Sequence, residues 1–257
     1  MKNQLIEYGK QGLKLDFPVI DIHAHIGNSG LIPVIPITAQ IQEMTRIGIK
    51  SAIVSHMDGI SGDIHNGNIS VYESAKRFQG KLYCYCHVSA NYPENLEEEL
   101  ENCFKHKLFV GIKVYQTGIN FNDPDYEPVW QFAKKNSIPI LAHTWGGNLT
   151  GFDKVAKKFR SVPFIAGHAG SVFTYKEYVK VAEEIKNLYL DLTYSREYTN
   201  MIEYFVKEIG AERIVWGSDT PVFSMSHQLG KVLFARISDN DKFKILYTNA
   251  ASLFGIS

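Results

Sequence analysis

Eight short apolar runs recur along this chain, each ending in polar residues or glycine: 18–25, 50–56, 81–88, 109–115, 138–144, 162–168, 188–195 and 213–219. They are rich in Val, Ile, Leu, Phe and Tyr, and several are almost continuously apolar. That is the pattern of parallel strands covered by helices on one face and by a filled interior on the other. Helical patterns fill the gaps. Thr38 reads as the N-cap of one. Pro93 opens another, with Glu94, Glu97, Glu98 and Glu99 near the positive end of the helix dipole. Others cover 124–136, 152–159, 174–186 and 197–209, and 239–254 closes the chain. Strand–helix repetition at roughly 30 residues per unit predicts βαβ units. Eight of them predict an α/β fold of the (β/α)8 TIM-barrel type. With no low-complexity linker, the reading is a single domain over 1–257. The glycine-bearing stretches 27–36 and 58–67 are expected as loops over the catalytic face.

The candidate chemistry collects at the strand ends. The first run closes with His23-Ala24-His25, and alternation along a strand puts both imidazoles on one face, with Asp21 on the same side. Six of the nine histidines (His23, His25, His56, His87, His143 and His168) lie at or near the C-terminal ends of predicted strands, where barrels build their active sites. Asp219 ends the eighth run and Lys113 lies near the end of the fourth. A catalytic zinc needs three or four nitrogen and oxygen ligands and one open position, a set that His23, His25, His143 and Asp219 can supply. Such an ion lowers the pKa of a bound water toward ~7. Asp219 can then move the water's proton, and His168 can polarise the electrophile or serve as acid or base. Lys113 can bind a substrate carboxylate. It can instead carry a carbamate that bridges a second metal, with His168 as a further ligand. Asp191 is read as a hydrogen-bond partner to a ligating histidine. Tyr115, Trp145 and Tyr194 are read as pocket lining or as ordinary packing, and His56 and His87 as pocket wall. His65, His106 and His227 are placed on the surface or in loops.

Composition narrows the classes. The 257 residues are 45% hydrophobic and 21% charged, ordinary for a globular chain and near the size of one barrel. Lys+Arg and Asp+Glu are 27 each, so there is no basic footprint for nucleic acid or a membrane surface. A small-molecule substrate is the expected partner, and a homodimer is compatible with the reading. Cys84, Cys86 and Cys103 are an odd set without framework spacing, which points to a reducing compartment. Cys84 and Cys86 are read as buried free thiols rather than as a second, soft metal site. The first residues, Met1 to Glu7, lack the apolar segment of a signal peptide, and no stretch has transmembrane length. The expected location is cytoplasmic.

Taken together, Asp21-Ile-His-Ala-His-Ile-Gly27, Gly111-Ile-Lys113, Leu141-Ala-His143-Thr, Gly167-His168-Ala-Gly170, Tyr189-Leu-Asp-Leu-Thr-Tyr194, Trp216-Gly-Ser-Asp219-Thr-Pro221 and Asn249-Ala-Ala-Ser-Leu-Phe-Gly255 resemble the amidohydrolase superfamily. The resemblance is to its amidohydrolase-2 branch, which includes aminocarboxymuconate-semialdehyde decarboxylase-like enzymes. It implies a distorted (β/α)8 barrel and a mononuclear zinc site, for which manganese or iron can substitute. By matched position it makes His23, His25, His143 and Asp219 the metal ligands and His168 the catalytic histidine. Two departures stand out. The substrate-binding arginine of the characterised decarboxylase has no clear counterpart, since Arg46 and Arg77 both fall on predicted helices. His87 matches nothing usual on the third strand. The expected activity is hydrolysis of an amide, lactone or ester by a metal-activated water. The alternative is nonoxidative decarboxylation of an aromatic or unsaturated carboxylic acid at the same site. A barrel that only binds is disfavoured, because structural zinc sites are usually closed and built from cysteine.

Overall fold

The computed structural model describes residues 4–28, 35–115, 118–145, 149, 151–169, 171, 174–194 and 198–256. Eight parallel strands run in chain order around one sheet: β1 Val19–Ile26, β2 Ile49–His56, β3 Leu82–Val88, β4 Phe109–Val114, β5 Ile140–His143, β6 Phe164–Gly167, β7 Leu188–Asp191 and β8 Ile214–Val215. The first and last strands meet. Ile22 N–H donates to Trp216 O at 3.1 Å, Asp219 N–H to His23 O at 2.7 Å, and His25 N–H to Thr220 O at 2.7 Å. The sheet is thus drawn into a nearly closed (β/α)8 barrel. The last four strands are shorter than their apolar runs suggest, because the chain leaves the ladder at the rim. Part of the seventh run and most of the 27–36 stretch lie outside the described residues.

Helices cover the outside: α1 Gln4–Gln11, α2 Ile37–Ile47, α3 Met57–Ile60, α4 Ile64–Arg77, α5 Leu96–Phe104, α6 Glu127–Asn136, α7 Phe152–Lys158, α8 Tyr175–Glu184, α9 Met201–Ile209, α10 Met225–Phe234, α11 Asp239–Phe243 and α12 Asn249–Phe254. Two expectations change here. Thr38 is not the cap of α2. The helix begins at Ile37, and the Pro36 carbonyl receives the Ala39 and Gln40 N–H groups. The 58–67 stretch is not an open loop, since α3 and the first turn of α4 occupy most of it.

Two apolar layers result. The larger lies between strands and helices, and it includes the free, buried Cys84, Cys86 and Cys103. The smaller fills the barrel: Ile20, Ile22, Ile53, Tyr85, Leu141, Ile165 and Val215 point inward, and Ala250, Phe254 and Ile256 plug the floor beneath them. Burying each such side chain contributes roughly 1.5–3 kcal/mol. Alternation then has a direct consequence. Two residues beyond Ile53, Tyr85, Leu141 and Val215 stand Ser55, His87, His143 and Gly217, which therefore face the mouth.

β1 departs from simple alternation. Its register against β2 slips between Val19 and Ile20 and again between Asp21 and Ala24. The slip lets one strand give Ile20 and Ile22 to the interior and His23 and His25 to the mouth. It also overturns the placement of Asp21 beside the histidines. The Asp21 carboxylate is turned to Ser218, accepting from its N–H at 2.9 Å and its hydroxyl at 2.5 Å, and from His23 N–H at 3.1 Å.

Candidate metal centre

β1 and the turn after β8 bring three donors together. His23 Nε2 and His25 Nε2 lie 3.7 Å and 3.1 Å from Asp219 Oδ1. All three residues are buried, and among the described residues they are the one group of three whose ligand atoms lie close enough to share an ion. The close approach has a local cause. A Cβ on Gly217 would fall 2.4 Å from both His23 Cβ and Thr193 Oγ1, so only glycine lets β8 pass β1 here. Asp219 itself has φ +58°, and His168 at the end of β6 has φ +60°. Left-handed backbone at non-glycine residues costs on the order of 1–3 kcal/mol and collects at functional sites.

Hydrogen bonds decide where the ring protons lie. The Thr193 carbonyl can only accept, so His168 carries its proton on Nδ1 and donates it there at 2.9 Å. His168 Nε2 is then an acceptor and takes the proton of His143 Nδ1 at 3.1 Å. That leaves the lone pair of His143 on Nε2. In the same way His23 Nδ1 donates to Asp191 Oδ2 at 2.7 Å, which leaves the His23 lone pair on Nε2. A carboxylate behind an imidazole is the usual means of orienting a metal-binding histidine. Asp191 is fixed in turn by the Thr193 hydroxyl at 2.6 Å and by the N–H groups of Thr193 at 3.1 Å and His168 at 3.3 Å. His25 Nδ1 pairs with Ser55 Oγ at 2.9 Å. The donor set fits a divalent ion: unprotonated imidazole nitrogens and a carboxylate oxygen, converging in a buried site.

Electrostatics agree. Burial holds His23 and His168 well below the usual imidazole range, with Lys113 and neighbouring imidazoles adding to it. Burial, then Lys113 and His25, push His143 down to about 3. Neutral rings are what metal ligation requires. Lys113 is fully buried, and its Nζ lies 2.8 Å from His23 Nε2, donating to the lone pair an ion would use. Burial lowers its pKa to about 8, against the pull of Asp219 and Asp191. Burial also raises Asp191 to about 7, opposed by its hydrogen bonds and by Lys113.

The rim above is aromatic. Tyr115 lies 4.3 Å from the His143 ring. Trp145 lies parallel to His143 with centroids 6.2 Å apart, edge-on to His168 at 5.0 Å and to Tyr194 at 4.8 Å. It is 42% exposed.

The strands thus gather His23, His25, His87, His143, His168, Lys113 and Asp219 at one mouth, but the expected ligand His143 is set against His168 and stands outside the three-residue donor group. His56 instead caps α3, accepting from Asp58 N–H at 3.3 Å. His65 pairs with Glu99 at 2.9 Å outside, and His106 stacks on Tyr72. Ser55, Thr193 and Ser218 escape sequence reasoning. Their only signal is position, one strand across from a histidine or an aspartate.

The sequence profile of the amidohydrolase-2 family matches residues 20–256. The chain belongs to the amidohydrolase family. The chain shares its barrel with several solved structures. A 2,6-dihydroxybenzoate decarboxylase from Rhizobium is 18% identical, with TM-score 0.74, over 93% of this chain and 98% of that one. A dihydroxybenzoic acid decarboxylase from a Polaromonas species, bound to manganese and 2-nitroresorcinol, is 18% identical with TM-score 0.77, over 93% and 97%. The 5-carboxyvanillate decarboxylase of Sphingomonas paucimobilis is 12% identical with TM-score 0.74, over 93% and 99%. No functionally curated protein matches the chain. Among the described residues no helix is long and apolar enough to cross a membrane.

Proposed function

We propose that this amidohydrolase is a metal-dependent nonoxidative decarboxylase of a planar aromatic or unsaturated carboxylic acid. The observation that carries the reading is the aromatic rim over the imidazoles, where Trp145 lies parallel to His143 and edge-on to Tyr194. A flat conjugated ring can stack on such a rim, which favours it over a flexible amide or ester. The solved structures that share the barrel and act on hydroxylated benzoates support the same choice.

His23, His25, His143 and Asp219 would hold one divalent ion, zinc by donor type and manganese by analogy with the Polaromonas structure. Bound there, the ion supplies Lewis-acid polarisation of a substrate oxygen or acidifies a water. The chain's own groups do the rest. Lys113 offers an ammonium to the substrate's anionic oxygen. Asp219, against His25, delivers a proton to the ring carbon bearing the carboxylate. The carbon–carbon bond then breaks, carbon dioxide leaves, and the bonding electrons return to the protonated ring. Each turnover consumes one proton, drawn from solvent, which recharges Asp219; His168, neutral and anchored on Thr193, would relay it through Nε2.

Hydrolysis stays as the second reading, favoured by the position of Asp219 beside both histidines, where a water could lose its proton. A panel separates the two. Protein loaded with zinc or manganese is incubated with mono- and dihydroxybenzoates, unsaturated diacids, lactones and amides. Release of carbon dioxide with the decarboxylated product is expected. Turnover confined to lactones or amides, without gas, would replace decarboxylation by hydrolysis.

A further inference from the structure

His87 is the one imidazole at the mouth that the metal centre leaves unused. It stands on β3 in direct register with Lys113 on β4, two residues beyond the interior Tyr85. Its ring is buried, and the charges of Lys113 and His25 reach it. Its Nδ1 is sealed from solvent and has no hydrogen-bond partner among the described residues. A buried polar group left unpaired is rare and unfavourable.

The chain nevertheless holds it firmly in place. The Asn68 side chain grips the His87 backbone from both sides: Oδ1 accepts from His87 N–H at 2.8 Å, and Nδ2 donates to His87 O at 2.9 Å. Asn68 Nδ2 is held in turn by Glu99 at 2.8 Å. The α3 backbone closes over the ring. A Cβ on Gly59 would lie 2.8 Å from His87 Nδ1, and one on Gly67 would lie 2.7 Å from Gly59 N, so two glycines seat α3 against this imidazole. Nδ1 therefore faces backbone that has no acceptor for it. A sealed N–H without an acceptor is the worse of the two tautomers, so the proton belongs on Nε2. Nε2 is the nitrogen left to meet a ligand.

We propose that His87 is a substrate-binding residue whose Nε2–H, together with the Lys113 ammonium, receives a second oxygen substituent of the substrate, a phenolic or carboxylate oxygen other than the carboxylate that departs. This rests on the decarboxylase reading and narrows it to ring acids that carry an additional oxygen. Two donors side by side on neighbouring strands favour an acceptor, and an anionic or phenolic oxygen can satisfy both. Specificity follows because a substrate lacking that oxygen leaves the donors unpaired.

The test is binding, so it does not depend on turnover. Calorimetry on the metal-loaded protein compares benzoate with 2-, 3- and 4-hydroxybenzoate and isophthalate. At least one acid with a second oxygen is expected to bind about tenfold or more tightly than benzoate. His87→Phe should cancel that advantage, so that the acid with the second oxygen and benzoate bind about equally. His87→Gln, whose amide N–H reaches the same point, should restore it. Metal content and circular dichroism show that both variants are folded. If His87→Phe does not fold, the His87→Gln comparison and the ring tautomer decide. Nitrogen-15 NMR of the metal-free chain should show the His87 proton on Nε2. Discrimination that survives in His87→Phe, a proton on Nδ1, or a native protein that prefers no second oxygen would each overturn the assignment. Discrimination here, with no carbon dioxide released from any acid of the wider substrate panel, would sustain His87 and sink the decarboxylase.

Discussion

Asp191 on β7 accepts the Nδ1 proton of His23 on β1 at 2.7 Å, so a residue that touches no substrate sets which nitrogen of His23 faces the barrel mouth. Asp191→Asn keeps the shape and loses the charge, and its amide can turn an N–H toward His23. The metal affinity of this variant should fall about 10–100-fold. Competition titration against a chelator measures it, and an unchanged affinity would show that Asp191 does not orient the ligand.

His23→Ala and Asp219→Ala should each lose the ion and activity together. His168→Ala should behave differently. It keeps about one ion per chain by elemental analysis and loses turnover by roughly 10²–10⁴-fold, the size of a general acid–base contribution. Two ions per native chain falling to one in His168→Ala, and again in Lys113→Met, would establish the lysine-bridged site.

The stability of the metal-free protein should fall as pH drops from about 7 to 5. His23, His25, His87, His143 and His168 are all held below their usual range, chiefly by burial, with His87 and His143 at about 3. Below about 6.5 the unfolded chain binds protons that the folded one does not, which costs up to about 1.4 kcal/mol per pH unit for each ring. Asp21 and Asp191, raised by burial to about 7, act in the opposite sense: their contribution is complete below about 4 and is lost as pH rises to 7. Five rings outweigh two carboxylates, so the urea midpoint should rise with pH across this window. A flat or falling midpoint would show that the rings are charged in the fold.

Gly217→Ala should destabilise the protein by about 1–3 kcal/mol or more, since the added methyl meets His23 and Thr193 with no room to yield. Chemical denaturation reads the loss. Metal affinity should drop with it, because the same contact sets the distance from His23 to Asp219.

Sequence reasoning reached the barrel because every strand carries its own apolar run, and reached the histidine pair because alternation is a local rule. It misplaced Asp21 because a register slip depends on the partner strand, which no local pattern records. The 58–67 stretch misled for a related reason. Gly59 and Gly67 look like loop formers in sequence, yet they serve close packing of α3 and α4. Asp191 was legible as a partner of a histidine. Which histidine it serves, and the run of ring protons from His143 through His168 to Thr193, required knowing which strands face each other.

Trp145 has one more consequence. Trp130 and Trp216 are buried at 1% and 0% exposure, while Trp145 stands half open over the imidazoles. The barrel therefore carries an intrinsic optical probe at its entrance. A change in the red-shifted part of the indole emission on adding a metal or an acid reports on events at that rim, and needs neither a label nor a known product.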